Sequence, residues 1–341
     1  LNVGYVLEGT IRWDRSIGGH GRVRITPQLI RVADDSHLWT DRYDRVLEDI
    51  FSVQSNIAEQ VIAQLRATIL EPERRAVEAH PTDNMEAYQA YLLGYQYSWT
   101  STEERYLRLA VEMLERAVEV DPEFAVAHAA LSEANANLYH FRFDFTSERL
   151  EMAKASADRA MALQPGLPEG HRAFAWYYYM GFRDYDRASE QFAKAAEALP
   201  NDANVLSGLF VVLRRQGRWE EALEALERWK TVDPQGYMTA LESSNTYKLL
   251  RNYETAEEEM RRAIAIAPDR PDAYLSGAWN YVMWDGSTER ARRLLESAPD
   301  LESSEIEYQT LLHDLYDRKP ESALAKLEES SHDSFSVQYW Y

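Results

Sequence analysis

Residues 203–234, ANVLSGLFVVLRRQGRWEEALEALERWKTVDP, carry the pattern that decides the fold of this 341-residue chain. Small and bulky apolar residues recur three or four positions apart on both sides of Gly217, as expected for two amphipathic helices that pack together. Gly217 favours the end of the first helix, and Pro234 prevents the second helix from continuing. The stretch therefore predicts an antiparallel pair of helices followed by a turn.

The same spacing recurs downstream at a constant offset of 34 residues. A fixed period of this length is typical of helical repeat proteins, in which each helix pair buries its apolar face against its neighbours. The residues that match are Ala222, Leu226, Trp229 and Pro234 in the first copy and Ala256, Met260, Ala263 and Pro268 in the second.

This pattern resembles the tetratricopeptide repeat, whose signature is an alanine followed by a bulky residue, a second alanine and a proline. Five blocks carry it, and two degenerate copies follow without the proline. The resemblance implies a mainly α fold, with a right-handed helical solenoid of about six to seven repeats over residues 85–341. The other three complete blocks are Ala110/Leu114/Ala117/Pro122, Ala153/Ala157/Ala160/Pro165 and Ala188/Phe192/Ala195/Pro200, and the degenerate copies are Ala291/Leu295/Ala298 and Ala323/Leu327/Ser330.

The first 70 residues follow a different period. Apolar and polar residues alternate over residues 3–13, which predicts a half-buried strand. Residues 22–32 predict a second strand, in which Pro27 implies a bulge or an edge position, and residues 37–45 predict a third. From residue 49 the apolar residues fall three or four apart, which predicts a helix of about five turns. The buried face of the first strand would hold Val3, Tyr5, Leu7, Ile11 and Trp13.

Residues 2–66 resemble the second half of the TolB amino-terminal-like domain. The motifs that carry the resemblance are YVLEGTIRW, RVRITPQLI, HLWTDRYDR and LEDIFSVQSNIAEQV. In that family an earlier strand and helix come first, so the resemblance implies that residues 1–70 are a small truncated α/β domain of a longer protein. Residues 71–84, which include Pro72 and Pro81, form the predicted linker to the repeats.

A TolB-like segment joined to tetratricopeptide repeats resembles the distal region of bacterial one-component regulators, receptor kinases and nucleotide cyclases. The resemblance implies a non-catalytic interaction or sensory region that follows an N-terminal effector and, in many such proteins, an upstream membrane helix. It favours an extracytoplasmic or periplasmic location, with the cytoplasm as the alternative. A free-standing scaffold without an output domain is a second interpretation, and an enzyme with a site in the groove is a third.

The formal net charge of −20 lies mostly in the repeats, because residues 1–80 hold ten Arg and no Lys against twelve Asp or Glu. An acidic surface disfavours nucleic acid and anionic membranes as partners of this region. The longest apolar stretch, residues 173–182, is too short to cross a bilayer. The absence of Cys excludes disulfides, thiolate metal sites and cysteine nucleophiles.

No motif in the chain points to catalysis or to a cofactor. A G-x-x-x-x-G stretch at Gly4 and Gly9 lacks the lysine of a nucleotide loop, and the G-x-G-x-x-G, G-x-S-x-G and H-E-x-x-H motifs do not occur. His37 stands near three Asp in the sequence, but a turn followed by an alternating strand disperses those side chains. We therefore expect no catalytic residues, no cofactor and no metal site.

The predicted site is a binding groove, because the first helix of each tetratricopeptide repeat lines the concave face of the solenoid. Guanidinium, ammonium and aromatic groups on that face would suit a protein or peptide partner with an acidic segment or an exposed carboxylate. The alternative is that the tryptophans pack between repeats and the cations pair with nearby Glu. The candidate groove residues are Arg172, Trp176, Tyr179, Arg214, Arg215, Asn245, Lys248 and Trp279, of which Asn245 stands at an Asn position of the family's carboxylate clamp.

Overall fold

The computed structural model of the protein describes residues 4–14, 22–46, 50–65, 74, 81–100, 102–299 and 304–329. Within these residues the chain forms four strands followed by fifteen α-helices. It divides into two compact units, Leu1–Arg218 and Trp219–Tyr341. The prediction of a mainly α-helical chain with a small strand region at its start is confirmed.

The strand region is an antiparallel sheet built on β2 (Arg22–Arg31). β1 (Tyr5–Asp14) pairs with one edge of β2 in a single continuous register. β3 (Ser36–Thr40) and β4 (Tyr43–Val46) share the other edge. The predicted third strand, residues 37–45, is therefore split in two, because the chain leaves the sheet for two residues between β3 and β4.

Pro27 lies in the central strand, and the sheet is irregular around it. The ladder between β2 and β4 ends at Ile25, and the ladder between β2 and β3 begins at Gln28, with a register shift between Leu29 and Ile30. Because Pro27 falls in the gap between the two ladders, its missing N–H removes no ladder hydrogen bond. The sequence predicted that Pro27 lies at a bulge or at an edge of the sheet. Because β2 is the central strand, Pro27 is not at an edge, and it lies beside an irregularity of the ladder.

One face of the sheet packs against α1 (Ile50–Leu65), the predicted helix. Val23 and Leu29 are each 1% exposed, and Val23 packs with Tyr43 and Val53 beneath the helix. The Tyr43 hydroxyl donates a hydrogen bond to Asn56 Oδ1 at 2.5 Å. The alternation of β2 therefore directs its apolar residues into a core, and the predicted second strand and helix are confirmed.

The apolar residues of β1 are not covered in the same way. Its register places Leu7 opposite Leu29 and Ile11 opposite Ile25, so these side chains share the face that α1 covers on β2. Tyr5, Leu7 and Ile11 are nonetheless 47%, 50% and 57% exposed. The prediction of a buried face is wrong for these residues, because α1 lies over the other strands. Val3 and the Trp13 side chain lie outside the described residues.

The rest of the first unit consists of helix pairs, each with a first (A) helix and a second (B) helix. Alanines lie where neighbouring helices touch: the signature residue Ala157 shares one core cluster with Ala129 and Ala173 on the helices before and after it. Small side chains at these points allow close approach of the backbones. The helices are α2 (Met85–Thr100), α3 (Glu104–Val120), α4 (Ala125–His140), α5 (Ser147–Leu163), α6 (Pro168–Phe182), α7 (Tyr185–Ala198) and α8 (Ala203–Arg215).

The second unit continues the alternation, beginning with a B helix. Its core includes Met260, Ala278 and Leu295, all nearly or fully buried, on three successive helices. The helices are α9 (Trp219–Val232), α10 (Tyr237–Leu249), α11 (Tyr253–Ile266), α12 (Asp272–Asp285), α13 (Thr288–Leu295), α14 (Ser304–Tyr316) and α15 (Pro320–Glu329).

Six turns from an A helix to a B helix contain a residue in the left-handed region. In one of them, Arg183 has φ 53° and the backbone N–H of Asp184 bonds to the Tyr178 carbonyl at 3.1 Å, which caps the last turn of α6. Gly217, predicted to end the helix before it, has φ 74°. The six residues are Arg142, Arg183 and Gly217 in the first unit and Arg251, Gly286 and Arg318 in the second.

Gly208 of α8 marks a close approach to α7. A Cβ at this position would lie 2.2 Å from two ring atoms of the fully buried Phe192. We expect Gly208→Ala to lower the free energy of unfolding by about 1–3 kcal/mol through this overlap, although the same exchange stabilises an open helix. Urea unfolding measures the change.

The control for Gly208→Ala is Ser207→Ala on the adjacent residue, whose hydroxyl donates to the Asn204 carbonyl of the same helix. Its effect should stay within about 1 kcal/mol. A Gly208→Ala variant as stable as this control would contradict the packing of α7 on α8.

Candidate functional site

The A helices of the first unit form a curved layer. α4 and α6 lie between α2 and α8 in this layer. Asn204 Nδ2 at the start of α8 nevertheless donates a hydrogen bond to the Tyr95 hydroxyl of α2 at 2.9 Å. The first and fourth helices of a row meet only if the row bends towards the side on which they touch. The A helices therefore line the concave face of the first unit.

Arg172 of α6 lies where the four A helices converge, and it is 5% exposed. Its Nε donates to Glu133 Oε1 of α4 at 2.8 Å, and its Nη1 lies 3.8 Å from Oδ1 of Asp202, the N-cap residue of α8. The guanidinium thus joins two A helices of the layer through carboxylates. We call the following residues the Arg172 cluster: Tyr91, Tyr95, Glu133, Arg172, Asp202 and Asn204.

The charged groups of the Arg172 cluster change one another's pKa values. Burial alone would lower the pKa of Arg172, but the carboxylates of Glu133 and Asp202 raise it above the ordinary value, so the guanidinium stays charged. Burial raises the pKa of Glu133, and the charge of Arg172 opposes that change. Burial also raises the pKa of Tyr95, which keeps its phenol neutral. Ligand binding by Arg172 remains a prediction, and its buried ion pair favours a structural role.

Trp176 and Tyr179 follow Arg172 along α6. Trp176 is half-buried, and its ring meets Phe192 edge-on with centroids 5.1 Å apart and Tyr179 edge-on at 5.6 Å. Tyr179 is mostly buried, and its hydroxyl accepts a hydrogen bond from Arg215 Nε at 3.3 Å. Trp176 therefore packs between helices, whereas the Tyr179 hydroxyl positions a cation on α8.

Two arginines and a histidine lie near Tyr179 at the C-terminal ends of three A helices. The His140 ring lies 6.3 Å from the Tyr179 ring. Partial burial of the ring lowers the pKa of His140, although the residue as a whole is exposed, and the positive charges of Arg183 and Arg215 lower it further, so the imidazole is neutral near pH 7. We call His140, Tyr179, Arg183 and Arg215 the Tyr179 cluster. His140, Arg183 and Arg215 are exposed.

Sequence analysis found two members of the Tyr179 cluster, Tyr179 and Arg215, and missed the other two. His140 is the last residue of α4, and Arg183 is the residue that caps α6. Their positions in the sequence could have indicated them, because His140 and Arg183 each lie where an A helix ends, as Arg215 does. The other predicted arginine of α8, Arg214, is half-buried with its guanidinium 5.0 Å from the Phe210 ring.

A shallow hollow of about 360 Å³ lies beside the Arg172 cluster. Trp99 of α2, which is 51% exposed, forms one side, and Asn204 of α8 contributes a polar group to the other. Sequence analysis missed this hollow, although aromatic residues four apart at Tyr91, Tyr95 and Trp99 mark one face of α2. The full lining consists of Tyr95, Gln96, Trp99, Thr100 and Asn204.

Three predicted groove residues belong to the second unit. Lys248 of α10 is 7% exposed, and its Nζ donates to Ser276 Oγ at 2.8 Å, to the Ser276 carbonyl at 3.1 Å and to Asn245 Oδ1 at 3.2 Å. Burial lowers the pKa of Lys248 to about 8, against the opposing charge of Glu242. Trp279 is half-buried, with its ring 6.0 Å from that of Tyr316. The ammonium of Lys248 is therefore used to tie α10 to α12.

Neither a metal site nor a membrane-spanning helix is found within the described ranges. In this part of the chain, no three His, Asp or Glu side chains are grouped so that they could hold a metal ion. The helices found here include none with the length and apolar character needed to cross a membrane.

Two family models, both described as tetratricopeptide repeat, match residues 179–243 and 241–270. The putative adenylate cyclase 3 of Rhizobium meliloti (strain 1021) is 33% identical over 180 residues, which are 51% of this chain and 29% of that protein. The anaphase-promoting complex subunit 3 of Schizosaccharomyces pombe is 22% identical over 169 residues, 48% of this chain and 23% of that protein. The chain thus spans less than a third of the length of these curated relatives.

Two solved structures show the same kind of helix arrangement. PilW, a widely conserved type IV pilus biogenesis factor, has a TM-score of 0.51 at 18% identity, covering 67% of this chain and 99% of PilW. The human IFIT1 dimer with m7Gppp-AAAA has a TM-score of 0.57 at 15% identity, covering 82% of this chain and 63% of IFIT1. At such identities the likeness shows the fold alone.

The repeat pattern, the helix pairs and the family matches agree. Proteins with this repeat mediate protein–protein interactions, and the fold is generally non-catalytic. Residues 179–270 of this chain match tetratricopeptide repeat models, and the helices have the arrangement of that fold.

Proposed function

We propose that this chain is a non-catalytic protein-interaction or sensory region of a larger bacterial signalling or regulatory protein, and that its first unit binds an acidic segment of a partner protein at the Tyr179 cluster. The likeness to a putative adenylate cyclase, less than a third of which is matched, supports a place within a larger signalling protein. The resemblance of residues 2–66 to the TolB amino-terminal-like domain supports the same interpretation.

The Tyr179 cluster is the observation that carries the binding site. His140 and Arg215 both lie against Tyr179, and Arg183 caps the helix that carries Tyr179, in a chain with a formal net charge of −20. Positive charges gathered in this way on an acidic protein create a local potential that attracts and orients an anionic group.

The geometry suits a carboxylate better than a larger anion with a dedicated pocket. The Tyr179 hydroxyl accepts a hydrogen bond from Arg215 Nε, which holds that guanidinium beside Tyr179. A carboxylate beside Tyr179 would be attracted by the guanidinium charges of Arg215 and Arg183, and the neutral imidazole of His140 could donate a hydrogen bond to it. Aspartate and glutamate side chains in an extended segment present such groups at regular spacing.

The test uses a fluorescently labelled octaglutamate peptide and measures its affinity by fluorescence anisotropy. We expect Arg183→Glu and Arg215→Glu, made together, to weaken binding about tenfold or more, because each puts a like charge beside the peptide. Thermal unfolding should change little, since exposed charges contribute little to stability. Added salt should weaken binding by the unaltered protein.

Arg187→Glu is the matched control. Arg187 is an arginine on the B helix α7, and its side chain is 65% exposed. Arg187→Glu changes the net charge by as much as each of the two cluster substitutions does, so it is compared with the single cluster variants as well as with the double variant. This variant should bind the peptide as the unaltered protein does. Equal losses in the control and in the cluster variants would reject the Tyr179 cluster as the site. Failure of the unaltered protein to bind the peptide would reject an acidic segment as the ligand.

A further inference from the structure

Two phenylalanine side chains of the first unit are exposed at the ends of neighbouring A helices. Phe182 is the last residue of α6, and Phe145 belongs to the turn that follows α4. They are 56% and 54% exposed, although they lie inside the array, with further helices before α4 and after α7. A single exposed apolar side chain is ordinary, but a patch of them marks a surface that binds another molecule.

The two exposed rings rest on one group of packed side chains. Phe145 stacks on Tyr139 of α4 with ring centroids 4.3 Å apart, and Phe182 meets Tyr177 of α6 edge-on at 5.2 Å. Tyr139 and Tyr177 both pack in the core cluster that includes Leu150 of α5. The same core therefore supports both rings, and we call Tyr139, Phe145, Tyr177 and Phe182 the aromatic patch.

The turn between α4 and α5, which carries one of the two exposed rings, is long and held in place. Six residues, 141–146, connect these helices, whereas two connect α6 to α7. Asp144 Oδ2 lies 2.7 Å from Arg149 Nη2, and the Phe143 carbonyl accepts a hydrogen bond from Arg108 Nη2 at 3.2 Å. An aromatic ring displayed on a fixed turn loses little conformational entropy when a partner covers it.

An arginine lies beside each exposed ring. The guanidinium carbon of Arg142 is 4.8 Å from the centroid of the Phe145 ring, and Arg183 follows Phe182 directly in the chain. Both arginines are exposed, and neither forms an ion pair with any residue in the part of the chain that the structure describes. A partner side chain that covers the aromatic patch would therefore lie near two positive charges, which favours acidic neighbours in the partner.

The aromatic patch adjoins the Tyr179 cluster. Arg183 belongs to that cluster, and its Cα atom is about 3.8 Å from that of Phe182, because the two residues are adjacent. Tyr177 and Tyr179 point to different sides of α6, the first towards α5 and the second towards α8. A peptide segment that contacts both sides must cross the end of α6, where Phe182 and Arg183 lie.

We propose that the aromatic patch is an apolar subsite of the peptide site, and that the partner segment carries a large apolar side chain, such as tryptophan, with acidic residues beside it. This proposal rests on the proposed function, because the same segment places its carboxylates at the Tyr179 cluster. Covering the two phenylalanines removes apolar surface from water, which adds affinity that charge alone does not supply. The partner is then recognised by a combined apolar and acidic pattern.

Two fluorescently labelled peptides separate the subsite from the charge interaction. Four glutamates on each side flank a tryptophan in one peptide and a serine in the other. In fluorescence anisotropy the unaltered protein should bind the tryptophan peptide at least about fivefold more tightly. Phe145→Ser made together with Phe182→Ser should reduce this preference to within about twofold. The variant should bind the serine peptide as the unaltered protein does, which also shows that it is folded.

Leu249→Ser is the matched control. Leu249 is a large apolar residue, 56% exposed, at the end of the A helix α10 in the second unit. This variant should keep the full preference for tryptophan. A peptide with p-benzoylphenylalanine in place of tryptophan locates the bound side chain directly. Irradiation should cross-link it to residues 139–145 or 177–182.

Equal binding of the two peptides by the unaltered protein would overturn the subsite and leave the charge interaction in place. A preference for tryptophan that persists in the double phenylalanine variant, or cross-links only to other residues, would overturn it as well. The proposed function is tested separately, by the loss of serine-peptide binding when Arg183→Glu and Arg215→Glu are made together. An unaltered protein that binds neither peptide would reject both proposals.

Discussion

Replacing Arg172 by Met should lower the free energy of unfolding by about 3–5 kcal/mol, because it leaves the mostly buried carboxylate of Glu133 without its cation. Glu133 would lose the guanidinium that bonds to it at 2.8 Å, and Asp202 would lose a charge 3.8 Å away. Both contacts link different A helices, so the loss loosens the concave layer. Urea unfolding followed by circular dichroism measures the change.

Acid should partly rescue the Arg172→Met variant. The pKa of Glu133 is already raised by burial, so in the absence of Arg172 this carboxyl takes up a proton more readily. Adding Glu133→Leu to Arg172→Met should recover at least half of the lost stability, since a buried ion pair can be exchanged for apolar side chains at little cost. An Arg172→Met variant within about 1 kcal/mol of the original protein would contradict the buried ion pair.

The second unit should lose about 3 kcal/mol of stability as the pH falls from about 6.5 to about 4, through His313 alone. His313 of α14 is 1% exposed, and its Nδ1 has no hydrogen-bond partner among the described residues. Burial lowers its pKa to about 4, with the charge of Arg292 adding to this and the charges of Asp317 and Asp314 opposing it. Lys326 on α15 also disfavours a proton on the imidazole.

The stability falls with falling pH because the unfolded chain binds a proton at His313 more readily than the folded chain does. Above about pH 6.5 the imidazole is neutral in both the folded and the unfolded chain, so its contribution is fully present. Between about 6.5 and 4 the unfolded chain binds a proton that the folded chain does not, and stability falls. The pKa of the neighbouring Asp314 is lowered to about 2, against the effect of its own burial, by hydrogen bonds from Lys326, Ser322 and Arg292, so its loss begins only below about pH 4.

His313→Leu separates this contribution from those of the other titrating groups. Urea unfolding at a series of pH values should show a shallower decline between pH 6.5 and 4 for the variant than for the original protein. Parallel pH profiles for the two proteins would show that His313 is not the group responsible.

The helix pairs were predictable because their cause is local and repeated. Each signature alanine, such as Ala222, lies where a larger side chain would hold two helices apart, so the requirement recurs with the period of the repeat. The turn at Gly217 was predictable for the same reason, since a left-handed residue favours glycine. Arg183 occupies an equivalent left-handed turn, but an arginine does not indicate such a turn in the sequence. Its place in the Tyr179 cluster was therefore not predicted.

The candidate site was less predictable, because its contacts depend on how far the row of A helices bends. A repeat period shows which residues of an A helix share a face, but not how far the row of helices bends. The bend brings Asn204 against Tyr95, and it buries Arg172 among carboxylates that the sequence does not place near it. Alternation in β1 likewise identified an apolar face at Leu7 and Ile11, but alternation does not state whether a helix covers that face.

The hydrogen bond between Tyr95 and Asn204 has a consequence for how the first unit folds. It joins residues 109 positions apart, whereas a repeat array usually contains only contacts between adjacent repeats. An array of the usual kind can fray from one end, one repeat at a time. Here opening of the first A helix also breaks its hydrogen bond to the fourth, which couples the two ends of the row of A helices by about 1 kcal/mol. Forming it requires closure of a long loop, which slows folding relative to an array held by neighbour contacts alone.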